Sequence, residues 1–161
     1  MTGPPTARPT RSAADREALL AANARFYAAI ERGDLDDLAA LWKEGEDTSC
    51  VHPGTGQLHG TGVILRAWAL VMAQLSYVQF VLTDVRVDCH ADMAVVTCTE
   101  NVLHAGHDVP VQSFNGARAT ATNVFVRAAG DAPAGRSPWQ LVVHHASPVL
   151  DSWEPDAGED G

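Results

Sequence analysis

The chain has 161 residues, 46 % of them hydrophobic and 19 % charged, which is the size and composition of one folded domain. Its formal net charge of −9 argues against binding to nucleic acid or to an anionic membrane, because both require a basic surface. No apolar run reaches the length of a membrane span. We therefore expect neither a nucleic-acid partner nor a membrane partner.

The two ends of the chain differ in composition from the rest. Residues 1–12 are rich in Pro, Thr and Arg and lack the apolar middle of a signal peptide, and residues 151–161 carry acidic side chains without a basic one. We expect a disordered leader at 1–12, a domain at 13–150 and a disordered acidic tail at 151–161. The odd number of cysteines (Cys50, Cys89 and Cys98) suits buried thiols in a reducing compartment, so we expect a cytoplasmic protein.

Two amphipathic helices broken at one glycine open the domain. The first runs from about Ser12 to about Arg32, and Gly33 ends it because a residue without a Cβ turns easily into the left-handed region. Asp34 then caps a second helix over roughly 34–44. Each helix has one apolar stripe at helical spacing: Leu19, Phe26, Tyr27 and Ile30 on the first, and Leu35, Leu38, Leu41 and Trp42 on the second.

A short extended piece at Cys50–Pro53 precedes a third helix, which begins after Gly60 and carries apolar residues at helical spacing through Leu75. The pattern then changes to strands, at 77–89, 92–104, 111–127 and 139–149. Short links between consecutive strands predict an antiparallel meander. The order predicts an α+β domain in which a curved sheet and the helices enclose a concave pocket.

These residues carry a family likeness. The Gly33-Asp34-Leu35 turn, the helix ending at Trp42, Val51-His52-Pro53-Gly54, Ile64 and Trp68 four apart, and the last strand at 139–148 resemble the nuclear transport factor 2-like superfamily. Within it the chain is most similar to the SnoaL-like, polyketide cyclase-like group. The resemblance implies a cone-shaped fold, with the curved antiparallel sheet wrapped by three N-terminal helices, and a homodimer formed through the outer face of the sheet.

The superfamily includes ketosteroid isomerase, scytalone dehydratase, limonene epoxide hydrolase and polyketide cyclases, and also a non-catalytic kinase association domain. Aligned with ketosteroid isomerase, the general base falls at His52, the oxyanion-hole tyrosine at Phe26 and the second oxyanion donor at Asn123. The base type has changed, one donor is lost and the other is exchanged. The resemblance therefore implies a proton-transfer pocket but not a ketosteroid isomerase.

His52, Asn123 and His144 are the candidate catalytic residues. An imidazole at position 52 titrates near neutrality and suits a general base, although it could instead only hold a tight Pro-Gly turn. Asn123 shares a strand face with Ala119, Ala121 and Phe125, so its amide either holds a developing oxyanion or bonds another pocket side chain. Strand alternation puts His144 with Val142 and Ala146 on the concave side, and puts His145 with the following residues on the outer side: Trp139, Leu141, Val143 and Ser147.

Glu100 ends an otherwise apolar strand face formed by Ala94, Val96, Cys98 and Val102. Such a carboxyl has a raised pKa or is paired, for example with Arg118 on the next strand. We expect the remaining pocket wall to comprise Phe26, Trp68, Cys98, Glu100, Phe125 and Val142. His104, His107 and Asp108 are too loosely spaced for a metal site, and we expect neither a metal nor a cofactor.

Together these residues predict a cofactor-independent lyase or isomerase, dehydratase-like, acting by general acid–base chemistry on a small hydrophobic carbonyl compound. His52 would remove the proton, Asn123 would hold the oxyanion, and His144 or Glu100 would return the proton or assist a leaving hydroxyl. The alternative is a non-catalytic module that binds a small ligand or associates as a dimer. Epoxide hydrolysis by Glu100 with Arg118 is a third reading.

Overall fold

A computed structural model describes residues 11–106, 115–132, 134 and 136–150, and within them the α+β class and the curved sheet are confirmed. Residues 1–10 of the expected leader, the expected tail at 151–161, strand residues 111–114, and His107 and Asp108 lie outside the described residues. The helices are α1 (Arg11–Arg32), α2 (Leu35–Leu41) and α3 (Thr61–Gln74). The strands are β1 (Ser49–Val51), β2 (Leu58–His59), β3 (Leu75–His90), β4 (Met93–Gly106), β5 (Asn115–Arg127) and β6 (Trp139–Pro148).

The break between α1 and α2 has the predicted chemistry. Gly33 takes a φ of 64°, and its N–H donates to Ile30 while that of Asp34 donates to Ala29, at 3.0 and 2.9 Å. This bond pair satisfies carbonyls left free at the helix end. The carboxylate of Asp34 then accepts from the N–H of Asp37 at 2.9 Å, so adjacent residues end one helix and begin the next.

Within the described residues the sheet has six strands in the order β2-β1-β6-β5-β4-β3. Strands β3 to β6 form the predicted antiparallel meander. The short extended piece around Cys50 is β1, which pairs parallel to β6 and aligns Cys50 with His144. That parallel pairing was not predicted, and it brings the segment carrying His52 beside the last strand.

Irregularities in two strands, β3 and β6, curve the sheet. The β3–β4 register shifts between Thr83 and Arg86, where Asp84 takes a φ of 53°, and the β5–β6 register shifts between Val124 and Phe125. An extra residue in one strand of a pair bends that strand and strengthens its twist. The helices pack against the resulting concave side, where α1 lies over β3, β4 and β6.

The bulge in β6 corrects the predicted alternation of that strand. Val124 pairs with Val143 while the next residue, Phe125, pairs with Leu141, so Val142 has no opposite partner. Leu141 and Trp139 thereby join the face of His144 and Ala146, and all four are buried. The expectation that Trp139 and Leu141 face outward, and Val142 inward with His144, is wrong because strict alternation does not hold across a bulge.

The core lies between the three described helices and the concave face of the sheet. Its largest fully buried side chains include Trp42, Trp139, Phe26, Phe125, Leu19, Leu38, Leu41, Ile64 and Leu141. Strand β3 is at the edge of the sheet, and there the carboxylate of Glu31 on α1 accepts from the backbone N–H of Phe80 at 2.7 Å. None of the described helices is both long and apolar enough to cross a lipid bilayer.

Candidate functional site

A cavity of about 340 Å³ opens between α1, α3 and the concave face of the sheet. This volume is in the range of small-molecule sites. Its wall is mostly apolar, with Ile30, Val71, Leu75, Val78 and Phe80 among the contributors. The side chains on the wall that carry a polar group are those of His52, Trp68, Glu100, His104, Arg118, His144 and Tyr27.

The structure brings four of the predicted site residues together on this wall: His52, Trp68, Glu100 and His144. The others, Phe26, Cys98, Asn123, Phe125 and Val142, are not among the residues that line it. Phe26 lies behind the wall, with its ring centroid 4.9 Å from that of His144 and 5.8 Å from that of Trp68. Phe125 is fully buried in the core, and Val142 occupies the β6 bulge.

Asn123 is correctly placed on the buried face but stands behind His144. The two residues are directly opposite each other on β5 and β6, and Nδ1 of His144 lies 2.6 Å from Oδ1 of Asn123. The Nδ2 of Asn123 donates to Oδ1 of Asn23 at 2.8 Å and to the hydroxyl of Tyr27 at 3.3 Å. The amide is therefore used at both ends by protein groups, which corrects the expectation that it holds a ligand oxyanion.

His144 is a neutral imidazole at physiological pH. Burial is the main cause, and the charges that His52 and His145 can carry add to it, so that the pKa of His144 falls from 6.5 to about 3. Because an amide oxygen only accepts, Nδ1 of His144 carries the proton. Nε2 is then the lone-pair nitrogen of a residue on the cavity wall.

Tyr27, which sequence reasoning placed only in an apolar stripe, takes part in the site. Its hydroxyl donates to Oε1 of Glu100 at 2.8 Å and lies 3.5 Å from the Sγ of Cys98. Burial, with the nearby Glu100 and Cys98, raises the pKa of Tyr27, so the phenol stays protonated. Cys98 is buried beside this network, and burial likewise raises the pKa of its thiol.

Glu100 is a buried carboxyl, 4 % exposed. Burial raises its pKa, and the hydrogen bond from Tyr27 offsets part of that rise. Its partner is thus a tyrosine on α1. The cross-strand pairing considered with Arg118 does not match the register, which places Ala119 opposite Glu100 and Arg118 opposite Asn101.

His52 directs its ring into the site and its backbone into the turn. The carbonyl of His52 accepts from the N–H and the hydroxyl of Thr55, at 3.0 and 3.1 Å. The ring stands edge-on to Trp68 with centroids 4.4 Å apart, and its Nε2 lies 3.9 Å from the Sγ of Cys50. Burial lowers the pKa of His52 and raises that of Cys50 to about 12, so both groups are neutral near pH 7.

Sequence reasoning left Tyr27 and Asn23 out of the site and considered His104 only as a metal ligand. His104 shares the inward face of β4 with Glu100 and lines the cavity, a position that period-two counting from Glu100 indicates. Asn23 and Tyr27 lie one helical turn apart on α1. The signal in the sequence that could have placed them in the site is a polar group on or beside the apolar stripe of that helix. Among the described residues, no group of three or more His, Cys, Asp or Glu side chains is arranged to hold a metal ion.

Comparisons with known proteins agree with this architecture. The sequence model of the SnoaL-like domain matches residues 19–151. A structure from Streptomyces avermitilis, provisionally named a dehydratase of the NTF2-like family, is 44 % identical, with a TM-score of 0.74 over 86 % of this chain and 99 % of the other. Comparison with the curated proteins finds no match.

Two further structures are similar at lower identity. One from Thiobacillus denitrificans, provisionally named a calcium/calmodulin-dependent protein kinase type II association domain, is 27 % identical, with a TM-score of 0.66 over 81 % of this chain and 94 % of the other. A provisionally named scytalone dehydratase from Novosphingobium aromaticivorans is 11 % identical, with a TM-score of 0.72 over 86 % of this chain and 87 % of the other. At that identity the likeness shows the fold alone.

Proposed function

Because the chain belongs to the SnoaL-like domain family, we propose that it is a cofactor-independent lyase or isomerase of the dehydratase type. Its substrate is a small hydrophobic compound that bears a carbonyl group. The 44 % identical structure with a provisional dehydratase name supports the reaction class. The mostly apolar wall of the cavity supports a hydrophobic substrate.

One observation carries the proposal: a neutral imidazole and a buried carboxyl with a raised pKa stand on the wall of one apolar cavity. Burial lowers the pKa of His144 and raises the pKa of Glu100. A base that is free of its proton near pH 7 therefore shares the cavity with a carboxyl that gives up its proton less readily than an exposed one. Titratable groups whose environments push their pKa values apart are the signature of paired acid and base catalysts.

In the proposed reaction, Nε2 of His144 removes a proton from the carbon next to the substrate carbonyl. The electron pair of that C–H bond forms the new carbon–carbon double bond as the C–O bond to a β-hydroxyl breaks. Glu100 gives its proton to the departing hydroxyl, which leaves as water. His144 then releases its proton to solvent and Glu100 takes one up from solvent. The net reaction converts the substrate to an enone and water.

His52 keeps a catalytic role in the proposal, as the second neutral imidazole on the wall. Its ring is less buried than that of His144 and contacts Trp68. It is suited to hold the substrate carbonyl oxygen or to receive the proton in an isomerisation. Asn123 acts only through His144, since neither end of its amide is left for a substrate.

Exchange of substrate protons tests the proposal without knowledge of the natural substrate. A panel of aryl β-hydroxyketones and the matching enones is incubated with the full chain in D₂O and followed by proton NMR. We expect deuterium at the carbon next to the carbonyl, with loss or addition of water, for at least one member. His144→Gln and Glu100→Gln should lower the rate by about 100-fold or more, while the exposed His90→Gln serves as the histidine control.

A non-catalytic binding module is the second candidate. The 27 % identical structure provisionally named as an association domain favours it. The same panel distinguishes the two candidates, because a binding module shifts ligand resonances without exchanging the proton next to the carbonyl. Saturable binding with no exchange in any member would overturn the enzyme proposal.

We propose in addition that the chain forms a homodimer through the outer face of the sheet, where Val81 and Leu103 are 51 % and 43 % exposed. Light scattering of the full chain and of Leu103→Lys tests this, and a monomeric wild-type chain would refute it.

We also place the protein in the cytoplasm, a location supported by three free cysteines. Fractionation of the native host tests that location.

A further inference from the structure

We propose that Asn123, anchored by Asn23, is a positioning residue that holds His144 in the Nδ1–H tautomer and so keeps the Nε2 lone pair on the side of the cavity. The inference rests on the proposed function in taking Nε2 as the base. The tautomer itself is measurable without any substrate.

The first step is the direction of the bond between His144 and Asn123. Its atoms, Nδ1 and Oδ1, lie 2.6 Å apart. An amide oxygen has lone pairs but no proton, so the ring nitrogen must be the donor. A neutral imidazole carries one N–H, and fixing it on Nδ1 leaves Nε2 unprotonated.

The second step is what prevents the amide of Asn123 from turning over. Its Nδ2 lies 2.8 Å from Oδ1 of Asn23 and 3.3 Å from the hydroxyl of Tyr27, both on α1. Turning the amide would set two carbonyl oxygens against each other at the first of these contacts. The orientation of His144 on β6 is therefore determined by residues of the first helix.

The third step is that the same bonds orient the acid. Since Tyr27 accepts from Asn123, its own proton is free to go to Oε1 of Glu100, 2.8 Å away. Every donor in the series His144, Asn123, Tyr27, Glu100 then points the same way, from the proposed base to the proposed acid. Chains of aligned hydrogen bonds polarise one another, which reinforces this arrangement.

Packing alone does not account for an asparagine at this place. The other inward residues of this stretch of β5, Ala119, Ala121 and Phe125, are apolar, and Asn123 is 0 % exposed. A buried amide is costly unless its groups are bonded. The amide is retained among apolar neighbours where it directly faces His144, which fits a positioning role.

The test is the tautomer of His144 in the full chain labelled with ¹⁵N-histidine, read from long-range proton–nitrogen correlations at pH 7. We expect a protonated Nδ1 and an unprotonated Nε2 in the wild type. Asn123→Leu removes the acceptor and should give a mixture of tautomers, while Thr122→Val, on the neighbouring outward position of β5, should leave the signals of His144 unchanged. An Nε2–H tautomer in the wild type, or no change in Asn123→Leu, would overturn the proposal.

Asn23→Ala is the second variant, for the case that Asn123→Leu does not fold. It removes only the anchor, so the amide is able to turn over and part of the His144 population should become protonated on Nε2. With an active substrate, we expect kcat to fall by about 10-fold or more, because part of the general-base contribution is lost, with KM little changed. An unchanged tautomer and kcat in Asn23→Ala would refute the anchoring.

The two proposals fail separately. The expected tautomer together with no proton exchange in any panel compound refutes the enzyme function and leaves the positioning intact. Proton exchange with the opposite tautomer keeps the enzyme and refutes the positioning. The spectra of the wild type decide the tautomer in either case.

Discussion

The hydroxyl of Tyr27 lies 2.8 Å from Oε1 of Glu100, a bond between residues 73 positions apart in the chain. It joins the first helix to β4, the strand beside the edge strand β3, inside the core. The contact gives the buried carboxyl a donor and offsets part of the rise in pKa that burial causes at Glu100. The phenol of Tyr27 thus supplies the buried carboxyl with a hydrogen bond in place of one from water.

Tyr27→Phe should destabilise the fold by about 1–3 kcal/mol, because Glu100 loses its donor and Nδ2 of Asn123 loses an acceptor inside the core. Urea unfolding at pH 7 measures the loss. Tyr77→Phe is the matched control, since Tyr77 is 43 % exposed and its change should stay within about 0.5 kcal/mol. Equal effects of the two substitutions would contradict the prediction.

Glu100 should make the fold less stable as the pH rises. Its pKa is raised above 4.5 in the folded chain, so above pH 4.5 the folded state holds a proton that the unfolded state has released. Stability is then lost as the pH increases from 4.5 through the raised pKa. Glu100→Gln should flatten this part of the pH profile in urea unfolding, whereas Glu17→Gln, on an exposed helix position, should not.

His144 should act in the opposite direction. Its pKa is about 3 in the folded chain and 6.5 when unperturbed, so between these values the unfolded state binds the extra proton. Stability then falls as the pH drops below 6.5, by at most about 1.4 kcal/mol per pH unit. Unfolding at pH 5 and pH 7.5 should show a smaller difference for His144→Gln than for wild type, and an unaltered one for the exposed His90→Gln. A wild-type slope preserved in His144→Gln would count against a neutral buried His144.

Gly33→Ala should cost about 1 kcal/mol of stability, because the φ of 64° at this position is strained for any residue with a Cβ. The added methyl group itself meets no atom within 4 Å, so the cost is one of backbone conformation. Thermal unfolding compares it with Gly56→Ala, where the space is also open and φ is not in the left-handed region. A lower midpoint is expected for Gly33→Ala only.

The elements that the sequence predicts well are those specified by neighbouring residues. Gly33 and Asp34 end and begin helices through bonds to residues three to five positions away, and the face of Glu100 follows from strand alternation. The wrong assignments on β6 arise from the bulge at Val142, which depends on how β5 pairs with β6. Nothing within the strand itself signals that extra residue.

The site itself depends on contacts between distant residues. Asn123 bonds Asn23 across 100 positions and His144 across 21, so its role cannot be read from the residues around it. Tyr27 lies on the cavity wall. It is one position after Phe26, the residue that aligns with the oxyanion-hole tyrosine of ketosteroid isomerase. A helix position one residue along is rotated by about 100°, and only the packing of α1 against β3 and β4 decides which of the two aromatic residues faces Glu100.

The carboxylate of Glu31 on the edge of β3 has a consequence for the behaviour of this protein at high concentration. Residues 75–83 contain no charged residue and no proline, the composition of a segment that adds to a neighbouring strand in aggregates. Their open edge is occupied at Phe80 by a side chain of α1. Fraying of that one helix, well before global unfolding, would free the edge strand to pair with another molecule. The rate at which the protein aggregates in solution should therefore follow the local stability of α1 more closely than the melting temperature of the domain.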